Sequence, residues 1–170
     1  MSQNQLLINS LKEIFNNFLA DVKSQQIQGD GPWTKELKER LGDLGMSAAW
    51  NCNVATGGFP KYFEAEWLFD MTWYKENEKG QLSELVMVLE SEWAKSFAGI
   101  KYDFEKLLIS KCPLKVMICQ WTKADIQNLF DKIESSINAF GSSTDETYLL
   151  VVLDSSTDKE FIFKTFGSSN

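Results

Sequence analysis

Apolar residues recur at two different spacings along this chain, and each spacing predicts a different kind of element. From Leu6 to Val22 they fall three or four positions apart, which predicts an amphipathic helix. The same spacing predicts a second helix from Trp33 to Leu44, closed by Gly45. A polar linker from Gln25 to Pro32 separates the two. The N-terminal quarter is therefore expected to be helical.

The middle of the chain changes to the alternation that is typical of strands. Phe63 to Tyr74 is the longest alternation, with one apolar face and one face that carries three carboxylates. Leu82 to Leu89 is an apolar run of the length of a central strand, and the charged turn from Lys75 to Gln81 predicts an antiparallel hairpin. A shorter strand is predicted from Trp50 to Thr56. The residues expected to be buried include Phe63, Trp67, Phe69, Val86, Val88, Leu107 and Ile118.

Helices and strands alternate in the second half. The predicted elements are a helix at Tyr102 to Ser110 that Pro113 stops, a strand at Leu114 to Gln120, a helix capped by Thr122, and strands at Thr147 to Leu153 and Phe161 to Phe166 joined by a turn at Asp154 to Asp158. The order predicts an α/β fold with a mixed central sheet flanked by helices. We expect one domain, divided into an N-terminal helix and linker (1–32), a core (33–120) and a C-terminal extension (121–170).

Composition narrows the chemistry that this domain can perform. Histidine is absent, which excludes Ser-His and Cys-His catalysis and the common zinc sites. The three cysteines lack CxxC spacing, and neither a signal peptide nor an apolar run of about 20 residues is present, so we expect a cytoplasmic protein with no membrane contact. Any catalysis must therefore use carboxylates, lysines or a hard metal ion.

Three carboxylates are placed where such chemistry is plausible. Glu90 and Glu92 end the most apolar predicted strand and, two residues apart, point to the same face. Paired carboxylates at the end of a buried strand repel each other and lose hydration, a cost that a divalent cation offsets. The hairpin partner supplies Asp70, which we expect on the same side as Glu90. Carboxylate oxygens suit Mg²⁺.

This arrangement resembles the PD-(D/E)xK restriction-endonuclease-like superfamily in its ExE variant. The resemblance rests on Asp70, then Glu90-Ser91-Glu92-Trp93, then a helix containing Asp103-Phe104-Glu105-Lys106. It implies a core of helix, three-strand meander, helix and strand, with Asp70, Glu90 and Glu92 binding Mg²⁺ or Mn²⁺. It also implies catalytic roles for Glu92, where the family more often has lysine, and for Lys106, which could reach back from the helix. Phe69 stands where the signature has proline.

Two functions are compatible with these observations. The first is a Mg²⁺-dependent nuclease that hydrolyses DNA phosphodiester bonds, and the second is a non-catalytic protein of the same fold that binds a partner or forms a homodimer. The net charge of −7 opposes bulk binding of nucleic acid. Five lysines from Lys101 to Lys123 against Asp103 and Glu105 nevertheless predict a local basic edge for DNA. Glu36, Glu39, Glu64 and Glu66 are interpreted as solvated carboxylates in preference to ligands.

Overall fold

A mixed sheet forms the centre of the fold in the computed structural model, which describes residues 2–25, 30–63, 65–141, 145–155 and 159–167. Within these ranges the helices are α1 (Gln3–Gln25), α2 (Asp30–Met46), α3 (Phe97–Leu108) and α4 (Ile126–Phe140). The strands are β1 (Asn53–Ala55), β2 (Met71–Glu76), β3 (Leu82–Glu92), β4 (Leu114–Trp121), β5 (Thr147–Asp154) and β6 (Phe161–Gly167). The predicted α/β class with a mixed sheet is confirmed.

The strands lie in the sheet in their chain order, from β1 at one edge to β6 at the other. β1, β2 and β3 form an antiparallel meander, and α3 then connects β3 to its parallel neighbour β4. α4 connects β4 to the parallel β5, and β6 returns antiparallel. The parallel centre is buried on both faces, as crossover helices require. β5 is accordingly buried at every position.

Each face of the sheet is covered by its own pair of helices. α1 and α2 pack Leu11, Phe15 and Leu41 onto one face, whose strand residues include Met87 and Leu89. On the opposite face, α3 and α4 pack against strand residues that include Val88 and Met117. The helical residues of this second core are Ile100, Phe104, Leu107, Leu108, Leu129, Phe130, Ile133 and Ile137. Consecutive residues of β3 therefore point into different cores, as the strand pleat dictates.

Several predicted boundaries were wrong by a few residues. α2 begins at Asp30, inside the predicted linker, of which residues 26–29 fall outside the described residues. α3 begins at Phe97, five residues before the predicted start, because the Ser96 side chain accepts a hydrogen bond from the Gly99 N–H and caps the helix there. Thr122 precedes a 3₁₀ turn and makes no side-chain cap hydrogen bond. Residues 156–158 of the last predicted turn are not described.

The strand predicted from the alternation between Phe63 and Tyr74 was wrong for the residues before Met71. β2 begins only at Met71, and Phe63 and Trp67 are 53% and 44% exposed. Phe63 instead lies beside β1, where its N–H donates to the Val54 carbonyl and its carbonyl accepts from the Thr56 N–H. The chain then crosses to the far side of β1 before it enters β2. The other residues predicted to be buried, Phe69, Val86, Val88, Leu107 and Ile118, are buried.

A helix that crosses a bilayer must be both long and apolar. None in the described part of the chain combines the length and the apolar character needed to cross a bilayer.

Candidate functional site

The antiparallel register between β2 and β3 brings Asp70 and Glu90 next to each other. Met71 pairs with Leu89, so Asp70 and Glu90 are the residues one step beyond that pair. The Thr56 hydroxyl donates to the Asp70 carbonyl at 2.7 Å and fixes the backbone where the chain enters β2. Two of the three predicted carboxylates therefore share one end of the hairpin.

Glu90 is the buried member of this pair. Its side chain is 2% exposed and points to the face that α3 covers, where Lys106 Nζ lies 2.7 Å from Glu90 Oε1. The distance is that of a close ion pair. Burial, with a smaller contribution from the Asp70 charge, raises the pKa of Glu90 to about 7 in spite of Lys106. The Glu90 carboxylate is thus incompletely compensated.

Lys106 provides the cation of the site. Its ammonium lies 2.9 Å from Asp103 Oδ1 as well as close to Glu90, and 5.9 Å from the centre of the Tyr102 ring. Burial disfavours the charged form, but the hydrogen bonds and charges of Glu90 and Asp103 outweigh it and raise the pKa of Lys106. Lys106 therefore stays charged at neutral pH. Lys106 thus reaches from α3 to Glu90, and its catalytic role stays a prediction.

Asp70 is oriented by different partners. Its Oδ2 accepts hydrogen bonds from the Ser91 N–H at 2.8 Å and the Ser91 hydroxyl at 2.6 Å, and Lys38 Nζ on α2 is 3.8 Å from Oδ1. Ser91 follows Glu90 on β3, so its side chain points to the opposite face. Because both donors belong to Ser91, the Asp70 carboxylate leans toward α2. We had expected this carboxylate on the same face as Glu90, and it lies on the other face.

Glu92 points in a third direction. It follows Glu90 on the same face of β3, but its Oε1 accepts a hydrogen bond from the Ala94 N–H at 2.7 Å. A Cβ built on Gly99 would lie 3.0 Å from Glu92 Oε2, so the carboxylate rests against the first turn of α3. The positive end of the helix dipole favours an anion there.

A metal ion can therefore be assigned only to part of the predicted set. Within the residues that the structure describes, no group of three or more acidic or cysteine side chains is arranged to hold a metal ion. Mg²⁺, however, is commonly held by one or two carboxylates, with water and substrate phosphate as its other ligands. Glu90 could supply one such ligand, and Asp70, which lies next to it in the hairpin, would have to turn away from Ser91 to supply a second.

The predicted basic edge is largely neutralised. Lys101, Lys106 and Lys123 are paired with carboxylates, and Lys115 is wholly buried. Lys115 donates to Glu146 at 2.7 Å and to the Tyr148 hydroxyl at 3.1 Å, near the start of β4, where it pairs with Val88 of β3. Its neighbours in the predicted strand are apolar, which indicated a buried position, but we interpreted Lys115 as a surface charge.

Other residues around the site had not been singled out. Lys38 pairs with Glu66 at 2.8 Å and approaches Asp70, while Ser91 supplies both donors to Asp70. No sequence signal pointed to Lys38, whereas Ser91 lies within the motif itself. Glu36 and Glu39 pair with Arg40 and Lys61, in agreement with their interpretation as surface carboxylates, and Glu64 is outside the described residues.

Comparison with known proteins adds no assignment to this geometry. The chain matches no family model, no curated protein and no solved structure.

Proposed function

We propose that this protein is a metal-dependent nuclease that hydrolyses DNA phosphodiester bonds, with Asp70, Glu90 and Lys106 at its centre. The observation that carries the proposal is the environment of Glu90, a buried carboxylate that forms an ion pair with Lys106 and lies next to a second carboxylate, Asp70. Burial of an incompletely compensated charge is costly, and such groups concentrate at functional sites.

The order of elements supports the same proposal. α2, the β1-β2-β3 meander, α3 and β4 follow one another as helix, three strands, helix and strand. The PD-(D/E)xK superfamily, which the motif resembles, has this succession in its core. The resemblance would place Asp70 on the second strand and Glu90 on the third; Asp70 directly precedes β2, next to Glu90 at the end of the hairpin, which supports the proposal.

Each residue has a distinct part in the proposed reaction. Asp70 and Glu90 would hold Mg²⁺ or Mn²⁺, which when bound polarises the scissile phosphate and acidifies a coordinated water. Lys106 keeps its positive charge beside Glu90, so it would hold a phosphate oxygen and stabilise the charge that develops there. Glu92 is the third carboxylate of the set and would join the others by releasing the Ala94 N–H.

The test is cleavage of plasmid DNA with and without Mg²⁺ or Mn²⁺. Glu90→Gln should remove cleavage, and Lys106→Met should lower it about 10²- to 10³-fold, as the loss of one charge-stabilising donor does elsewhere. Glu84→Gln is the matched control, because Glu84 lies on the exposed half of the same strand. Cleavage that survives Glu90→Gln would contradict the proposal.

A partner-binding protein without catalytic activity is the second candidate. It is favoured by the Lys106 ion pair, which already partly neutralises Glu90, and by the lack of a three-ligand group in the described residues. The partner would be another protein or a second copy of this chain. This function gains support if millimolar Mg²⁺ or Mn²⁺ neither stabilises the protein nor produces cleavage.

A further inference from the structure

The Asp70 carboxylate takes the place of a strand neighbour at the end of the β2–β3 hairpin. The pairing of the two strands ends at Met71 and Leu89, whereas β3 continues to Glu92. Beyond that last pair, the Ser91 N–H donates to Asp70 Oδ2 at 2.8 Å. A backbone N–H that is partly withdrawn from water needs such an acceptor. The side chain of Asp70 therefore continues the hydrogen bonding of β3 where β2 no longer supplies it.

Ser91 adds a second hydrogen bond to the same carboxylate oxygen. Its hydroxyl donates to Asp70 Oδ2 at 2.6 Å. Hydrogen bonds to an ionised acceptor are stronger than those between neutral groups. The Asp70 side chain is 24% exposed, so water only partly competes with the two donors. Together they hold the carboxylate on the face of the sheet opposite to Glu90.

Lys38, the other neighbour of Asp70, has a closer partner of its own. Its ammonium lies 3.8 Å from Asp70 Oδ1, which is longer than a hydrogen bond, and 2.8 Å from Glu66 Oε1. If the Asp70 carboxylate turned away, Lys38 would keep its ion pair with Glu66. The contacts that oppose such a turn are therefore mainly those of Ser91.

From this arrangement we infer that Ser91 is a positioning residue that holds Asp70 away from Glu90 in the metal-free protein. A divalent cation that uses both carboxylates must then take Asp70 from Ser91. The inference rests on the proposed function, which makes Asp70 and Glu90 the metal ligands. Ser91 acts through Asp70 and opposes metal binding. Its hydroxyl is the part of the contact that a substitution can remove, since the N–H belongs to the backbone.

The first test is the affinity for Mn²⁺, measured from the electron paramagnetic resonance signal of the free ion. Ser91→Ala should bind Mn²⁺ about 10- to 150-fold more tightly than the natural protein, the factor that corresponds to one hydrogen bond to a charged group. Ser91→Thr keeps a hydroxyl and should bind as the natural protein does. Ser83→Ala is the matched control, because the Ser83 hydroxyl donates to the Lys75 carbonyl across the same hairpin on the exposed half of β3.

The second test uses the natural protein and needs no variant. Mg²⁺ is added while the amide proton of Ser91 is followed by nuclear magnetic resonance. If the cation takes Asp70, this proton loses its carboxylate partner and should shift upfield, whereas the amide proton of Ser83 should not move. A purely structural role of Ser91 would change unfolding in EDTA and leave both the Mn²⁺ affinity and this shift unaffected.

The outcomes separate this inference from the nuclease proposal. Mn²⁺ binding that is equal or weaker in Ser91→Ala, including no binding by either protein, overturns the inference. A Ser91 amide proton that keeps its position when Mg²⁺ is bound also overturns it, and metal-dependent cleavage by the same protein would still support the nuclease. Tighter Mn²⁺ binding by Ser91→Ala, without cleavage of DNA by either protein, supports the inference and overturns the nuclease proposal.

Discussion

Replacing Glu90 by glutamine should stabilise the metal-free protein, and by an amount that grows with pH. The pKa of Glu90 is raised from its ordinary value of 4.5 to about 7, so the folded protein holds this proton more tightly than the unfolded chain does. A group with a raised pKa contributes stability below its unfolded pKa, and that stability is lost as pH rises through the folded pKa. The loss therefore falls between about pH 4.5 and 7.

The magnitude follows from the same two values. Each tenfold change in an equilibrium constant is about 1.4 kcal/mol, so the full displacement corresponds to about 3 kcal/mol. Glu90 is 2% exposed, and solvent screening does not reduce this figure appreciably. Glutamine resembles the protonated acid and never ionises. Relative to the natural protein, the variant should gain about 1 kcal/mol at pH 5 and about 3 kcal/mol at pH 8.

The assay is thermal or urea unfolding in EDTA across that pH range, with Glu84→Gln as the exposed control on the same strand. For a chain of this length the gain at pH 8 corresponds to a rise in melting temperature of roughly 6–12 °C. The difference between the two pH values is the decisive quantity, because it cancels any constant effect of the amide. A Glu90→Gln variant that loses stability as pH rises would show that Lys106 compensates the carboxylate fully, and would refute the reasoning.

Three further predictions concern metal, core and surface. Mg²⁺ or Mn²⁺ at millimolar concentration should raise the melting temperature of the natural protein but not of Glu90→Gln, as differential scanning fluorimetry would show; an equal rise in both would place the metal elsewhere. Lys115→Met should cost roughly 3 kcal/mol in urea unfolding, since it removes the buried cation paired with Glu146 and leaves the Tyr148 hydroxyl as the donor to that carboxylate, whereas Lys123→Met should have no measurable effect; equal costs would contradict the burial of Lys115. Trp67→Ala should lower the free energy of unfolding by less than about 2 kcal/mol, since nearly half of that side chain is already in solvent. A loss as large as that expected for a fully buried tryptophan would contradict its exposure.

Sequence patterns located the central strands and the edge strand β6 well, and the β1–β2 edge poorly. Val86 to Leu89 and Val116 to Cys119 are apolar on both sides, and both belong to central strands of the sheet. The alternation from Phe63 to Tyr74 also satisfied the physical rule for a strand, yet only its last four residues pair in β2. The alternation shows only which side chains are apolar. It does not indicate that Phe63 and Trp67 lie in a loop and not in a paired strand.

The candidate site shows the same division between local and long-range information. The spacing of Glu90 and Glu92 fixed their common face on β3, and the hairpin brought Asp70 next to Glu90. The directions of the carboxylates depend on donors that the pattern did not weigh, namely Ser91 for Asp70 and the Ala94 N–H for Glu92. Hydrogen bonds of this kind are decided by side-chain rotation, which leaves no periodic signal.

The position of the sheet's buried centre also bears on how the molecule opens locally. β4 and β5 lie in the middle, buried on both faces, so their amides should exchange with solvent hydrogen only when the whole molecule unfolds. β1 has three residues and lies at the edge, and Asp70 stands where the loop from β1 enters β2. Detachment of this edge would separate Asp70 from Glu90 while the centre stays intact. Amides near Asp70 should therefore exchange faster than those of β4 and β5, and the two carboxylates would belong to different cooperative units.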